Sequence, residues 1–346
     1  MSAAATRAAN VPKIEMANDD SPFAWRQIVE PAEPFLEAVH LRLKRQIKEF
    51  DQGIEGYAEY ALTGQGKQLR PLLVALSAEA GGKLNDDHVT VAVIIEMVHL
   101  ATLVHDDVMD EAEIRRGRRT LAANWGNEIA VLLGDCLFAH ALKLAASFPT
   151  PEICRAVASA TNTVCSGEIM QTRQRSNFQL ALADYHKILE MKTAELFSLS
   201  CDLGALLGGA TAERRAALRE FGRRLGLAYQ MYDDCVDIFG SEASSGKTLG
   251  TDLMKGKLTL PVLLLRERAS ELEHAELQAL ITDWQPSEMP QLRSLLARHD
   301  ILKESLAVIQ LELAAARLLV RGLDEGSAGL VRLTDFLARQ TETISA

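Results

Sequence analysis

Apolar residues recur at helical spacing through most of the chain. Leu36, Val39, Leu43 and Ile47 share one face of a segment from 35 to about 50, which predicts a helix after Pro34. Residues 57–62 predict a short helix running into Gly64-Gln65-Gly66-Lys67-Gln68-Leu69-Arg70-Pro71. Pro71 suits the first turn of a helix over 72–80 that Gly81-Gly82 stops. A long apolar helix follows, with Asp86 or Asp87 as its cap, Arg115 and Arg116 in its last turn and Gly117 at its end. Residues 125 to about 148, 156–174, 184–207 and 211–239 predict further long helices, and 259–343 several shorter ones. Period-two strands of any length, a Gly-rich βαβ fingerprint and a regular repeat are all missing. So are Pro- or Ser-rich linkers. The expectation is a disordered Ala-, Asn- and Asp-rich tail over 1–24 and one all-α domain over 25–346. Its uniformly apolar central helices are expected at the heart of a large bundle.

Composition agrees with packed helices. Hydrophobic residues make up 48% but aromatic ones only 5%, so the core is built from Leu, Ala, Val and Ile. A formal net charge of -10 argues against nucleic acid as a partner and asks that functional cations be locally clustered. The five cysteines are scattered without a CxxC pair, as expected of reduced thiols. Residues 1–20 lack a signal-peptide layout, and no uninterrupted apolar run reaches the roughly eighteen residues of a spanning helix. The reading is a cytoplasmic protein with no transmembrane segment.

The chemistry concentrates in two acidic clusters. Asp106, Asp107 and Asp110 end the apolar run that begins near His99. Residues four apart on a helix are offset by only about 40°, so Asp106 and Asp110 stack, and like charges so placed repel. Asp233, Asp234 and Asp237 end a second apolar run, 225–232. A lone acidic helix end is ordinarily solvated surface. Two of them, on helices too apolar for the surface, are expected to meet at the mouth of one cavity. Hard carboxylate oxygens with room for water and phosphate suit Mg²⁺, and six could hold more than one ion with a polyphosphate completing the shell. Lys67 with Arg70, Arg115 with Arg116, Lys192, and Lys247 with Lys257 stand at element ends. Each alone is more often a solvated charge. Arg70 beside a helix-starting proline and Lys247 between glycines are better placed, because such backbone can approach a phosphate closely.

From about residue 30 onward the chain resembles the trans-isoprenyl diphosphate synthases, or polyprenyl synthetases. The resemblance rests on His105-Asp106-Asp107-Val108-Met109-Asp110 with Arg115-Arg116-Gly117, and on Tyr232-Asp233-Asp234-Cys235-Val236-Asp237. Gly66-Lys67-Gln68-Leu69-Arg70-Pro71, Gly167-Glu168 with Gln171, Lys192-Thr193, and Gly246-Lys247 with Gly250-Thr251-Asp252 support it in the expected order. It implies the isoprenoid synthase fold, a bundle of antiparallel helices around a deep apolar cavity, usually as a homodimer. By this likeness the six aspartates are metal sites for Mg²⁺, with Mn²⁺ as a substitute. Arg115, Lys192, Lys247 and Lys257 would hold an allylic diphosphate, and Lys67, Arg70, His99 and Arg116 isopentenyl diphosphate. Thr193, Gln171 and Gln230 would line the region where positive charge develops, with Lys192, Thr193, Gln230 and Lys247 as the catalytic set. The implied reaction is ionisation, condensation and proton loss, with loose membrane contact for product release.

Ala101 and Thr102 precede the first cluster where short-chain synthases commonly carry an aromatic, and no insertion interrupts that cluster. This predicts products longer than farnesyl, with Ala101 open and Met97 as the next bulky residue on its face. The rivals are a short-chain farnesyl or geranylgeranyl synthase, a class I terpene cyclase, a di-iron bundle on the Glu-x-x-His pairs such as Glu96 and His99, and a non-catalytic subunit.

Overall fold

The computed structural model describes residues 21–63, 66–241, 249–323 and 325–344. Helices α1 (Ser21–Val29), α2 (Glu33–Ile47), α3 (Glu55–Leu62), α4 (Leu69–Gly81) and α5 (Asp86–Met109) come first. A small hairpin follows, β1 (Ile114–Arg115) and β2 (Arg118–Arg119), then α6 (Leu121–Trp125), α7 (Asn127–Ala146), α8 (Pro151–Arg173) and α9 (Leu182–Leu189). A π-helical turn, Glu190–Ala194, leads into α10 (Glu195–Leu207), and α11 (Ala212–Phe239) carries the second acidic cluster. The chain finishes with α12 (Thr251–Met254), α13 (Leu260–Arg268), α14 (Glu271–Thr282), α15 (Met289–Arg298), α16 (Ile301–Arg321) and α17 (Ala328–Glu342).

The all-α reading holds, and four helices form its centre. Helix α10 packs against α4, α5 and α11; α5 also packs on α7, and α11 on α16. The apolar core is continuous from Ile28 to Leu337. Close approach of α11 to the start of α10 depends on small residues. A Cβ at Gly226 would come within 2.7 Å of the Ala194 backbone, and one at Gly222 within 2.5 Å of the Phe197 carbonyl. These contacts set α11 beside the π turn, where Gln230 meets Thr193.

Several local expectations change. Helix α1 begins inside the stretch expected to be disordered. Its Ile28 is buried and its Trp25 lies 5.3 Å from the Phe336 ring of α17. These two anchors lie just past the expected tail, in a segment for which no helix was expected; residues 1–20 lie outside the described part. The cap of α5 is Asn85, which accepts from the Asp87 amide at 3.1 Å, and its own amide donates to His88 Nδ1 at 3.0 Å. Helix α5 ends at Met109, so Arg115 and Arg116 stand on the hairpin and not in a last helical turn. Arg116 and Gly117, with φ of 52° and 71°, form its two-residue loop, the positive-φ geometry that suits strand twist. Strands of two residues leave no period to read. The helix expected over 184–207 is interrupted by the π turn at Lys192 and Thr193, a distortion frequent at functional sites.

Helices α5 and α7 are long and apolar enough to cross a membrane by length and composition, although neither contains the uninterrupted run sought in the sequence. Both pack within the bundle. The most apolar window of α5 is 72% buried, whereas that of α7 is 39% buried and leaves Val131 and Leu132 exposed.

Candidate active site

A cavity of about 2140 Å³ opens at the ends of α5 and α11. On the α5 wall stand Glu96, His99, Thr102, Leu103, Asp106 and Asp110; on the α11 wall, Tyr229, Gln230, Asp233 and Asp237. Lys192, Thr193 and Leu196 line it from the π turn and α10, Lys67 and Arg70 from the start of α4, and Arg115 and Arg116 from the hairpin. The two acidic clusters therefore face one space, as the apolar character of their helices required.

Each acid of the first cluster has cationic company. Lys192 Nζ lies 3.6 Å from Asp106 and also pairs with Glu168. Burial pushes the Asp106 carboxyl up, against the pull of Lys192. Burial disfavours the Lys192 charge too, yet Asp106 and Glu168 hold its pKa above the usual lysine value, so it is protonated. Asp110 accepts from Arg175 at 2.7 Å, Lys257 at 2.9 Å and Lys255 at 3.1 Å. Burial would raise its pKa, but Lys257 and Lys255 outweigh burial and bring it down to about 2. Asp107 departs from the expected picture. It is buried, pairs with Arg115 Nε at 2.6 Å and does not line this cavity, so its helical position beside Asp106 turns it away.

The second cluster divides likewise. Asp233 and Asp237 line the cavity, and Asp237 accepts from the Thr251 hydroxyl at 3.0 Å and from the amides of Thr251 and Asp252 at 3.2 and 3.1 Å. Asp234 is buried behind the wall and accepts from the Tyr185 hydroxyl at 2.6 Å and from Gln230 at 2.9 Å. Asp252, not singled out from the sequence although it ended a quoted motif, lines the cavity with these acids. Burial, then the neighbouring Asp237, pushes it up to about 6. Among the described residues no three His, Cys, Asp or Glu side chains converge closely enough to hold a metal alone. The donors are nonetheless hard oxygens on facing walls, the set that suits a divalent cation completing its shell with phosphate and water.

A separate basic group sits at the start of α4. Arg70 is packed over the Phe197 ring at 5.1 Å, and its buried Nε has no hydrogen-bond partner among the described residues. Gly66 leaves room for the Arg116 guanidinium, which a Cβ there would meet at 2.5 Å. Burial, with Arg70 and Arg116 nearby, holds His99 well below the usual imidazole value, so it is neutral at pH 7. The buried Glu96 faces the same group, pushed up by burial and drawn down by Arg70 and Arg116.

Of the remaining expected residues, Thr193, Gln230 and Lys257 line the cavity. Gln171 does not; it borders a smaller hollow of about 100 Å³ behind Lys192, Thr193 and Gln230. Lys247 lies outside the described residues. Ala101 and Met97 are fully buried and line neither this cavity nor the smaller hollow. Rise along the helix places Ala101 below Asp106, but rotation about its axis does not. Five residues turn a helix by about 500°, which points Ala101 roughly 140° away from Asp106, whereas Thr102, Leu103 and His99 share its face. Glu168 was visible within a motif; Arg175 and Tyr185 gave no sequence signal, because their partners are distant in the chain.

Comparison with known proteins places this geometry. Residues 51–298 match the family model described as Polyprenyl synthetase. Heptaprenyl diphosphate synthase component 2 of Geobacillus stearothermophilus is 36% identical over 298 residues, covering 86% of this chain and 92% of that protein. A decaprenyl diphosphate synthase from Rhodobacter capsulatus superposes with a TM-score of 0.85 at 28% identity, over 93% of this chain and 100% of that one. A polyprenyl synthase from Caulobacter crescentus CB15, solved with calcium and isoprenyl diphosphate, gives 0.84 at 31% identity, over 91% and 98%.

Proposed function

This chain belongs to the polyprenyl synthetase family, and from that premise we propose that it joins isopentenyl diphosphate to an allylic diphosphate, giving all-trans products longer than farnesyl diphosphate. One observation carries the reading: the cavity holds two basic groups, one around the paired acids and one at Lys67, Arg70, His99 and Arg116. A terpene cyclase, with a single diphosphate to bind, has no use for the second.

Asp106, Asp110, Asp233, Asp237 and Asp252 would hold divalent metal, Mg²⁺ with Mn²⁺ as substitute. When bound, the metal supplies Lewis-acid neutralisation of the departing diphosphate. Asp107 and Asp234 act by holding Arg115 and Gln230. Lys192, Lys257 and Arg115, with Lys247, bind the allylic diphosphate, and Lys192 stays protonated to offset its charge as the carbon–oxygen bond breaks. Arg70 offers its unpartnered Nε to the second diphosphate, and neutral His99 serves as a hydrogen-bond donor without adding charge. Thr193 and Gln230 present oxygen dipoles to the allylic cation, the electrostatic stabilisation that the reaction needs. The isopentenyl double bond attacks that cation, and the proton then lost goes to the released diphosphate. Leu103, Phe138, Val164 and Leu196 give the hydrocarbon an apolar wall.

We read residues 25–346 as one domain on the strength of the continuous core. A homodimer across α7 and α8 is supported by exposed Leu132 and Ile169, 60% and 62% accessible. Unpaired cysteines support a cytoplasmic setting, and exposed Ile114 and Met254 at the cavity rim support passing membrane contact as product leaves. The test is to incubate the purified chain with farnesyl diphosphate, isopentenyl diphosphate and Mg²⁺ and size the products. Extension beyond farnesyl, abolished by chelator, is expected. Unconsumed isopentenyl diphosphate with every allylic primer refutes the activity.

A further inference from the structure

Tyr185, Asp234, Gln230 and Thr193 form one chain of hydrogen bonds that runs from the protein interior to the cavity wall. The Tyr185 hydroxyl donates to Asp234 Oδ2 at 2.6 Å, and Gln230 Nε2 donates to Asp234 Oδ1 at 2.9 Å. Thr193 Oγ1 then donates to Gln230 Oε1 at 3.0 Å. Tyr185 and Asp234 are buried and border only the small hollow, whereas Gln230 and Thr193 also line the main cavity.

The direction of every bond follows from its inner end. Both Asp234 oxygens accept, Oδ2 from Tyr185 and Oδ1 from Gln230, so Gln230 has its NH₂ turned towards Asp234 and its Oε1 towards Thr193. Thr193 has a single O–H, which is spent on Gln230. What remains for the cavity is the lone-pair side of its oxygen, the polarity that favours a cation. Were Gln230 to turn over, its NH₂ would face Thr193, the threonine would accept, and its O–H would be free to point at the cavity with the wrong sign. Tyr185 stands on α9 and Asp234 on α11, and their bond fixes the carboxylate across the two helices.

We propose that Tyr185 is a positioning residue for the condensation, setting through Asp234 and Gln230 the polarity with which Thr193 meets the allylic cation. This rests on the function proposed above. It also gives Asp234 a duty distinct from that of Asp233 and Asp237, since both of its oxygens are taken by the chain.

The test compares wild type, Tyr185→Phe, Thr193→Val, their double mutant and Thr193→Ser in farnesyl-primed condensation. Tyr185→Phe is expected to lower kcat roughly 10- to 100-fold, the cost of leaving a buried acceptor without its partner, with both KM values and the Mg²⁺ requirement little moved. The double mutant should be no slower than Thr193→Val, because a severed chain has no second link to lose. Thr193→Ser, which keeps the hydroxyl, should recover most of what Thr193→Val loses. Wild-type kcat in Tyr185→Phe, or losses that multiply in the double mutant, overturns the proposal. If Tyr185→Phe gives no cooperative melt, Gln230→Met cuts the same chain, and an unchanged kcat there overturns it equally. A wild type that consumes no isopentenyl diphosphate sinks the functional reading and this inference with it. An active wild type with an unaffected Tyr185→Phe sinks this inference alone.

Discussion

Replacing Lys257 by Met should strengthen metal binding and weaken catalysis at once. Lys257 Nζ lies 2.9 Å from Asp110 Oδ2, and the two side chains are only 10% and 8% exposed. At that distance and an effective dielectric of about 20, the gross attraction is about 6 kcal/mol, most of it cancelled by the desolvation of both charges. The net worth of a charged hydrogen bond is about 1.5–3 kcal/mol. Arg175 at 2.7 Å and Lys255 at 3.1 Å continue to hold Asp110, which argues for the lower end. A divalent cation binding at Asp110 competes with these ion pairs. Removing one by about 1.5 kcal/mol should tighten Mn²⁺ binding in the absence of diphosphate about tenfold. The same substitution removes a cation that the allylic diphosphate needs, so kcat/KM for that substrate should fall roughly 10- to 100-fold. Mn²⁺ titration followed by paramagnetic resonance gives the first quantity, and steady-state kinetics the second. Mn²⁺ binding that is unchanged or weakened in Lys257→Met refutes the reasoning, whatever happens to the rate.

Chain length should respond at Thr102 and not at Ala101. Thr102 lines the cavity one helical turn below Asp106, so Thr102→Phe is expected to shorten the products seen by reversed-phase chromatography, and an unaltered length distribution counts against this wall as the hydrocarbon's path. Ala101 is fully buried, so Ala101→Tyr should instead overpack the core and lower Tm. Stability should also couple to pH through Asp252, whose carboxyl is raised by burial and by Asp237 from 3.8 to about 6. A raised carboxyl binds its proton more tightly folded than unfolded, so its contribution to stability is lost as pH climbs through that window. Divalent metal relieves the penalty, and Mg²⁺ with inorganic diphosphate should raise Tm more at about pH 7.5 than at about pH 5. Equal increments at the two pH values contradict the assignment.

The long helices, their order and the meeting of the two acidic clusters were legible because each depends on apolar periodicity over many residues. Asp106 and Asp233 are where that periodicity leads. Features set by a residue or two were not legible. The turn at Arg116 and Gly117 requires positive φ at both positions, which the pattern of apolar residues does not encode. The π turn at Lys192 adds one residue to a helical repeat, a change smaller than the tolerance of any periodicity argument. Asp107 and Asp234 looked equivalent to their neighbours in sequence, yet a rotation of about 100° per residue turns each away from the cavity and into a structural pairing. Arg175 and Tyr185 are invisible to local reading, since they reach Asp110 and Asp234 from 65 and 49 residues away.

An acidic protein that binds two polyanions needs a reason for its acids not to repel them. Arg115 pairs with Asp107, Lys192 with Asp106 and Glu168, and Lys255, Lys257 and Arg175 with Asp110. On the roles proposed above, Lys192 and Lys257, which a diphosphate would draw, are thus already held beside Asp106 and Asp110, which a metal would draw. Metal held at Asp106 or Asp110 would release Lys192 or Lys257 towards phosphate, and phosphate drawing those lysines away would expose the acids to metal. The two ligands are therefore expected to bind with positive coupling, each tightening the other by the same factor. Neither alone can collect the full interaction, because each then leaves charges on the facing wall without partners. This exchange of partners would let a site of opposed charges stay folded at rest, yet present its full cationic field only when both diphosphate and metal are in place.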